Sequence, residues 1–314
     1  MLNRRHLRVR VLQTLYAYQA SDNKEVNRFE KALLESVDQV YAMYIWALGL
    51  LEDVADYAQR DADERAGKLL PTEADLNANT KLVTNTFIES LRHNKAYQEG
   101  IKKYRVSWSF DPEIVKSIFS QLKTSEAYAE YLKLEDRSIA AEKDVIKYIF
   151  RKIVLVSPVV DQAFEEKFLN WSMDKEVLRA MLAKTLKNFS SEVPSQNHLA
   201  QLSLNWEEDR VFALDLLTHT IRYADEYQKL IEDKTQNWEG ERIALVDTLL
   251  MRMAICEMLN FPSIPVKVTM NEYIDLAREF STPKSNTFIN GVLDKILSDL
   301  QSSGRIRKND RGMK

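Results

Sequence analysis

Four arginines stand close together near the start of the sequence, and no acidic residue lies among the first 19 positions. They are Arg4, Arg5, Arg8 and Arg10. A guanidinium group presents paired N–H donors that match phosphate oxygens, so a cluster of this kind can bind a nucleic-acid backbone. Arginines at the start of a helix are also common on solvated surfaces. The spacing by itself leaves both interpretations open.

The chain as a whole is slightly acidic, but its charge is distributed unevenly. The net charge is -3 over 314 residues, whereas residues 1–19 and 304–314 each carry +4 and residues 20–303 carry -11. An acidic body repels polyanions except at basic surfaces. We therefore expect any RNA contact at the ends of the chain. The basic segment 304–314 either extends an RNA footprint or forms a disordered solubilising tail, and the tail is the expected form.

The element that must position the four arginines is a helix over about residues 4–19. Its apolar stripe is formed by Leu7, Val11 and Leu15, which recur at helical spacing. Arg4 and Arg8 fall near the azimuth of Leu15, and unpaired guanidinium groups cannot enter an apolar core. We therefore expect the first two turns to project beyond the bundle. All four arginines would then lie in solvent at the positive end of the helix dipole.

The rest of the chain also predicts helices. Glycine and proline, which the turns of β-rich folds need, number only seven each. Apolar residues recur every three or four positions, so the predicted fold class is all-α. The best candidate linker is Val193-Pro194-Ser195-Gln196-Asn197. The predicted helices after the first cover about 26–66 (as one or two helices), 72–93, 95–105, 111–122, 124–134, 138–156, 158–169, 173–190, 207–233, 239–259, 268–280 and 285–301.

The sequence contains none of the common motifs of active sites or cofactor pockets. A glycine-rich phosphate loop, Cys-x-x-Cys, His-Glu-x-x-His and Gly-x-Ser-x-Gly are all absent. The four histidines lack the spacing of metal ligands. The single cysteine, Cys256, lies on an apolar predicted helix, as a core residue would. We expect no enzyme activity, no cofactor and no metal. One cysteine and no apolar run of roughly 18 residues are typical of a soluble cytoplasmic protein.

Two segments at opposite ends of the chain carry a family resemblance. The first, from Arg4 to Tyr16, has an arginine cluster followed by a Leu-Gln-x-Leu-Tyr pattern. The second runs from about Asp209 to Leu300. Its motifs are Asn237-Trp238, Val246-Asp247, Leu250-x-Arg252, Glu257, Ile264-Pro265-x-Lys267-Val268-x-x-Asn271-Glu272 and Phe288-Ile289-Asn290-Gly291-Val292-Leu293-Asp294-Lys295. In this order and spacing they resemble the NusB family of transcription antitermination factors.

The resemblance implies a fold and a layout. The fold would be a NusB-like helical bundle of two packed helical subdomains with a large helical insertion, because familiar family members are less than half as long. Residues 1–21 would form the arginine-rich helix, 22–205 an expanded helical region of uncertain role, 206–303 the C-terminal subdomain and 304–314 the tail. A glycine inside a helix costs about 1 kcal/mol relative to alanine. We therefore expect a close helix contact at Gly291.

The resemblance also implies an RNA-binding function. Family members bind the boxA element of nascent ribosomal RNA, together with the ribosomal protein that serves as NusE, in an RNA polymerase antitermination complex. Carried over to this sequence, the RNA-binding residues are Arg4, Arg5, His6, Arg8, Arg10, Tyr16, Lys284, Ser285 and Phe288. Asp247 matches a position on the surface that faces NusE. From the sequence alone, Tyr16 and Phe288 could equally be core residues.

Other functions and origins remain open at this point. An accessory module of an rRNA methyltransferase would need a sheet with a glycine-rich cofactor loop and a catalytic cysteine, and the sequence shows neither. A ribosome-assembly or protein-interaction scaffold would use residues 22–205 as its binding surface and would not need RNA. Asn170-Trp171 and Asn237-Trp238 open similar apolar patterns 67 residues apart, which indicates either a degenerate internal repeat or chance.

Overall fold

A computed structural model describes residues 1–190, 193, 196–235, 243–309 and 311–312. Over these residues the regular structure is helical and includes no strand, so the predicted all-α class is confirmed. The sheet that a methyltransferase module requires is absent from the same residues. The α-helices are α1 (Arg4–Ala20), α2 (Val26–Ala66), α3 (Glu73–Leu76), α4 (Thr86–Arg92), α5 (Lys95–Tyr104), α6 (Pro112–Lys123), α7 (Glu126–Lys133), α8 (Ile139–Tyr148), α9 (Pro158–Lys167), α10 (Trp171–Asn188), α11 (Trp206–Arg222), α12 (Ala224–Thr235), α13 (Leu245–Asn260), α14 (Val266–Phe280) and α15 (Ser285–Ser302).

Two predicted helices are interrupted in the structure. The segment 72–93 forms only α3, a short 3-10 turn (Lys81–Thr84) and α4. Asparagine side chains compete here with helical hydrogen bonds, since Asn85 Oδ1 accepts from the N–H groups of Phe87 and Ile88 and starts α4 anew. The segment 207–233 divides at Tyr223, which ends α11 with a non-helical backbone. The segment 26–66, predicted as one or two helices, is the single long helix Val26–Ala66.

The chain forms two compact units. The first contains Met1 and residues 38–202, and the second contains residues 2–37 and 203–314. Residues 22–37, which the sequence-based layout assigned to the expanded region, are grouped with α1. The contacts explain this grouping, because the Tyr18 and Phe29 rings meet edge to face at 5.1 Å.

The first unit has a core of large aromatic side chains. Trp108 is buried and donates its indole N–H to the Trp46 carbonyl at 3.1 Å. The Phe164 ring lies 6.0 Å from that of Trp108 and 4.6 Å from that of Trp171. A buried indole needs such an acceptor, because an unpaired N–H in a core is costly. These contacts join α2, α9 and α10 through the residues that pack between them.

The second unit is built around α13. This helix is apolar on nearly all sides, and a helix of that kind is stable only when it is buried. Helices α1, α11, α12, α14 and α15 pack against it. Cys256 is fully buried there, as predicted for a core residue, and burial raises the pKa of its thiol to about 12. Such a thiol is protonated at neutral pH and is a poor nucleophile.

Part of the basic C-terminal segment contacts the second unit. The Lys308 ammonium donates to the Phe261 carbonyl at 2.9 Å, at the end of α13, where cations are favoured by the helix dipole. Burial lowers the pKa of Lys308. The Asn309 N–H donates to the Pro262 carbonyl at 3.1 Å, and Arg305 pairs with Glu226. At residues 305–309 the structure therefore shows docked chain where a free tail was expected.

The described residues contain no helix that combines the length and the apolar character of a bilayer span.

The expectation of a close helix contact at Gly291 is wrong. A Cβ atom built on this residue would meet no other atom within 4 Å, and the position is exposed on α15. Packing therefore does not explain the glycine.

Replacing Gly291 with alanine should stabilise the protein, because alanine fits the open position and costs less backbone entropy in a helix. We expect the free energy of unfolding to rise by about 0.5–1 kcal/mol, measured by urea denaturation with circular dichroism. Gly49→Ala is the contrast, since its Cβ would lie 2.8 Å from Cγ1 of Val106 and should lower stability. A loss of stability in Gly291→Ala would contradict the open environment.

Candidate nucleic-acid interface

The first turn of α1 is closed by a capping box that includes His6. Asn3 Oδ1 accepts from the His6 N–H at 3.1 Å, and His6 Nδ1 accepts from the Asn3 N–H at 3.3 Å. Burial, together with the nearby charges of Arg10 and Arg5, lowers the pKa of His6. The imidazole is therefore neutral at pH 7 and serves as a cap acceptor. It does not add a fifth positive charge to the arginine cluster.

Arg8 is buried, although the sequence predicted that it would be exposed. Its Nε and Nη2 atoms lie 2.8 Å from the two carboxylate oxygens of Glu257 on α13, and Nη1 lies 3.3 Å from Glu272 on α14. Only 3% of the residue is exposed. Burial disfavours the guanidinium charge, but the hydrogen bonds and charge of Glu257 outweigh that effect and raise the pKa of Arg8. The charge is thus retained in the interior.

Glu257 is the centre of this buried network. Besides Arg8, its oxygens accept from the Thr269 hydroxyl at 2.8 Å and from the Tyr273 hydroxyl at 3.2 Å. Four donors on two helices, α1 and α14, satisfy one carboxylate on α13, which is what a buried charge requires. The pair therefore fixes α1 against α13 and α14.

Arg10 also departs from the expected exposure. Only 2% of the residue is exposed, and its Nη1 atom lies 3.2 Å from Oε1 of Gln13. Arg8 and Arg10 are thus both inaccessible to a polyanion in solution. The expectation that four guanidinium groups lie together in solvent is wrong, because internal partners draw two of them into the protein.

Arg4 and Arg5 form the accessible part of the cluster. The Arg5 side chain is 36% exposed, and two of its nitrogens lie 3.4 Å from Asp275 and Glu279 on α14. Exposed ion pairs of this length are weak and easily exchanged. The Arg4 guanidinium lies 5.1 Å from the centre of the Phe212 ring. Within the described residues no acceptor is recorded for its N–H donors, so they remain available to a ligand.

The other predicted RNA-binding residues are divided between surface and interior. Tyr16 is 49% exposed, so it is not a core residue and can stack on a base. Lys284 is exposed and Phe288 is half-buried, whereas Ser285 is 3% exposed. Ser285 donates its hydroxyl to Asp247 at 2.7 Å, so it holds the protein's own carboxylate.

Asp247 was expected on a surface that faces NusE, but it does not lie on an open surface. Only 5% of the residue is exposed, and its carboxylate accepts from the hydroxyls of Ser281 and Ser285. The carboxylate therefore holds the turn between α14 and α15 against the first turn of α13. Its visible role is to fix the turn that carries Lys284.

A groove that the sequence does not indicate lies between α14 and α15. This open groove has a volume of about 410 Å³. Asparagines on an exposed helix face give no signal in a single sequence, because polar residues are ordinary there. The lining residues are Asn271, Ile274, Asp275, Arg278, Asn286, Thr287 and Asn290.

Some predicted features fall outside the described residues. These are Asn237-Trp238 and, in the candidate linker, Pro194 and Ser195, so the internal repeat remains a prediction. In the part of the chain that the structure covers, no group of three or more His, Cys, Asp or Glu side chains is placed to hold a metal ion.

Comparison with known proteins gives a consistent result for the C-terminal region. Residues 175–298 match the model of the NusB family. Three similar proteins carry the name transcription antitermination protein NusB. The Salinibacter ruber protein is 45% identical over 104 residues, which cover 33% of this chain and 65% of that protein. The Koribacter versatilis protein is 43% identical over 96 residues, covering 31% and 66%. The Chloroherpeton thalassium protein is 40% identical over 99 residues, covering 32% and 42%.

The match has clear limits. The chain spans just under two thirds of the length of the first two relatives. The family model covers α11 to α14 and most of α10 and α15, and the chain before residue 175 lies outside it. No solved structure matches the chain.

Removing the buried guanidinium should destabilise the protein far more than removing the exposed one. Arg8→Ala leaves Glu257 charged without its main partner, and we expect a loss of about 3–5 kcal/mol in the free energy of unfolding. Arg5→Ala removes only exposed pairs and should cost less than about 1 kcal/mol. Urea titrations of both variants measure the difference, and equal effects would show that Arg8 does not hold α1.

Asp247→Ala should loosen the turn before α15. The hydroxyls of Ser281 and Ser285 lose their acceptor, which should cost about 1–3 kcal/mol and speed amide hydrogen exchange over residues 281–288. Asp294→Ala on the exposed face of α15 is the matched control. Unchanged exchange over these residues in Asp247→Ala would mean that the carboxylate does not hold the turn.

Proposed function

We propose that the protein is a transcription antitermination factor of the NusB family, whose model matches residues 175–298, and that it binds RNA through the start of α1. Three relatives with 40–45% identity over this region are named as transcription antitermination proteins. In the proposed function the protein is not an enzyme. It acts in the cytoplasm on nascent transcripts.

The observation that carries the proposal is the placement of Arg5. Its guanidinium stands at the surface where α1 meets α14, and its two ion pairs are long and partly solvated. A phosphate can replace Asp275 or Glu279 at little cost, because charge-assisted bonds to phosphate are at least as strong as exposed carboxylate pairs. Arg8 supports this contact indirectly by fixing the helix that carries Arg5.

The proposed interface combines phosphate contacts with stacking. Arg4 and Arg5 bind the backbone, and the exposed Tyr16 ring offers a face for a base. Lys284, just before α15, and Phe288, near the start of α15, would add a cation and a partly exposed ring. His6, Ser285, Arg8 and Arg10 contribute through the positions that they give to their neighbours.

The proposed RNA and protein partners are those that the resemblance to the NusB family implies. The RNA would be a boxA-like single strand in ribosomal RNA leader transcripts, and the protein partner would be the ribosomal protein that serves as NusE. Together they would join the antitermination complex on RNA polymerase. Asp247 would affect NusE binding through the turn that it holds.

One observation favours a second candidate function, a protein-interaction scaffold for ribosome assembly. Leu69 and Leu70 are 96% and 86% exposed in the first unit. The chain around them is held by Asp75, which accepts from Arg65 at 2.9 Å and from Lys68 at 3.0 Å. Adjacent exposed leucines in an ordered segment are typical of protein contacts. In this function the complexes would form without RNA.

Charge reversal at Arg5 should weaken RNA binding. Arg5→Glu removes one phosphate contact and adds repulsion, and we expect at least a tenfold loss of affinity for a boxA-like oligoribonucleotide in filter binding. Arg28→Glu is the matched control, because Arg28 is exposed in the same unit. Equal losses in both variants would indicate only the effect of net charge. Cellular complexes that survive Arg5→Glu and ribonuclease would favour the scaffold.

The salt dependence should report how many arginines bind phosphate. For single strands, the slope of log affinity against log salt is about 0.7 per neutralised phosphate. Contacts by Arg4 and Arg5 alone predict a slope of about -1.4, a further contact by Lys284 makes it about -2.1, and four exposed arginines without Lys284 would give about -2.8. The titration uses the wild-type chain. A flat response would contradict phosphate binding.

A further inference from the structure

The groove between α14 and α15 is lined mainly by side chains that form hydrogen bonds. Asn271 and Arg278 are spaced at helical repeats on α14, and Asn286 and Asn290 are four residues apart on α15. Residues at this spacing lie on one face of a helix. The two faces meet across the groove, which at about 410 Å³ lies in the size range of small-ligand sites.

Three carboxamides in the groove are available to a ligand. Within the described residues, no hydrogen bond from the side chains of Asn271, Asn286 or Asn290 to another residue is recorded. A carboxamide presents a donor and an acceptor side by side, as the edges of nucleobases do. Three such groups around one space therefore offer several ways to pair with a base.

The charges around the groove do not repel RNA. Asp275 is the one acidic side chain in the lining, and it is held by two guanidinium groups. Arg278 lies 2.9 Å from one of its oxygens and Arg5 lies 3.4 Å from the other. Arg5 also pairs with Glu279, so two guanidinium groups face two carboxylates and the charges balance. The planar Arg278 side chain can also stack on a base.

The groove is connected to the proposed RNA contact through Arg5. The carboxylate that pairs with Arg5 also lines the groove, so a strand whose phosphate binds Arg5 has the carboxamides next to it. Single-stranded RNA is read in this way, with phosphates fixed by cations and unstacked bases turned into polar sites.

We propose that the groove lined by Asn271, Asn286 and Asn290 is a nucleobase-binding site that gives this protein its RNA sequence preference. The inference rests on the proposed RNA-binding function and deepens it. Arg4 and Arg5 supply affinity that does not depend on sequence. The carboxamides discriminate between bases through hydrogen bonds to the base edges. A protein partner with polar side chains is the alternative occupant of the groove.

The test separates base discrimination from affinity. Fluorescence anisotropy would measure binding to labelled oligoribonucleotides of about 12 nucleotides, one boxA-like and others with single-base substitutions. The double variant Asn286→Ala with Asn290→Ala and the single variant Asn271→Ala should fold normally, because alanine is a better helix former than asparagine. Asn27→Ala, at an exposed asparagine on α2 in the same unit, is the matched control.

The expected outcome is loss of discrimination with an unchanged salt slope. The wild type and Asn27→Ala should prefer the boxA-like oligomer, and the groove variants should bind it roughly tenfold more weakly and nearly equally with the substituted ones. The inference would be overturned if the groove variants kept the wild-type preference, or if the wild type showed no preference among the oligomers. Either result would still be compatible with the proposed phosphate contact. Variants that lose only a protein partner would overturn it in favour of protein docking. If the wild type binds no oligomer at low salt, the proposed function fails as well.

Discussion

The second unit depends on one buried ion pair, between Arg8 of α1 and Glu257 of α13. Its two hydrogen bonds of 2.8 Å link residues 249 positions apart in the sequence. Neither charge could stay in the interior alone, since an unpaired buried charge costs several kcal/mol. Thr269 and Tyr273 complete the network and bring α14 into it. The position of α1, and so of every residue that it carries to the surface, follows from this pair.

The pair also explains how the arginine cluster is divided. Arg8 donates its N–H groups to carboxylates inside the protein. These hydrogen bonds fix α1, and so they place Arg4 and Arg5 at the edge where α1 meets α14. Arg5 then has only long, exposed contacts, which a phosphate can replace. Asp247 acts similarly at the other end of the proposed interface, because it holds the turn that presents Lys284. In both places a buried charged residue positions an exposed one.

Some properties of this protein could be predicted from its sequence. The scarcity of glycine and proline and the helical apolar periodicity indicated an all-α fold, because these features act locally along the chain. The segment 26–66 was predicted to be helical, as one or two helices, and Cys256 was predicted as a core residue. The C-terminal motifs indicated the NusB family, which the comparison with known proteins supports over residues 175–298. These properties could be predicted because local residue patterns and the order of motifs are present in the sequence itself and do not depend on the folded structure.

The tertiary structure alone decided which of these residues reach solvent. Arg4 and Arg8 lie at similar azimuths on α1, but Arg8 is buried, where Glu257 and Glu272 pair with it, and Arg4 is only half-buried. Gly291 was expected to pack closely and faces open space instead. The carboxamide groove exists only because α14 and α15 bring their polar faces together. Exposure and convergence depend on partners that are distant in sequence, so a periodic pattern on a single helix cannot determine them.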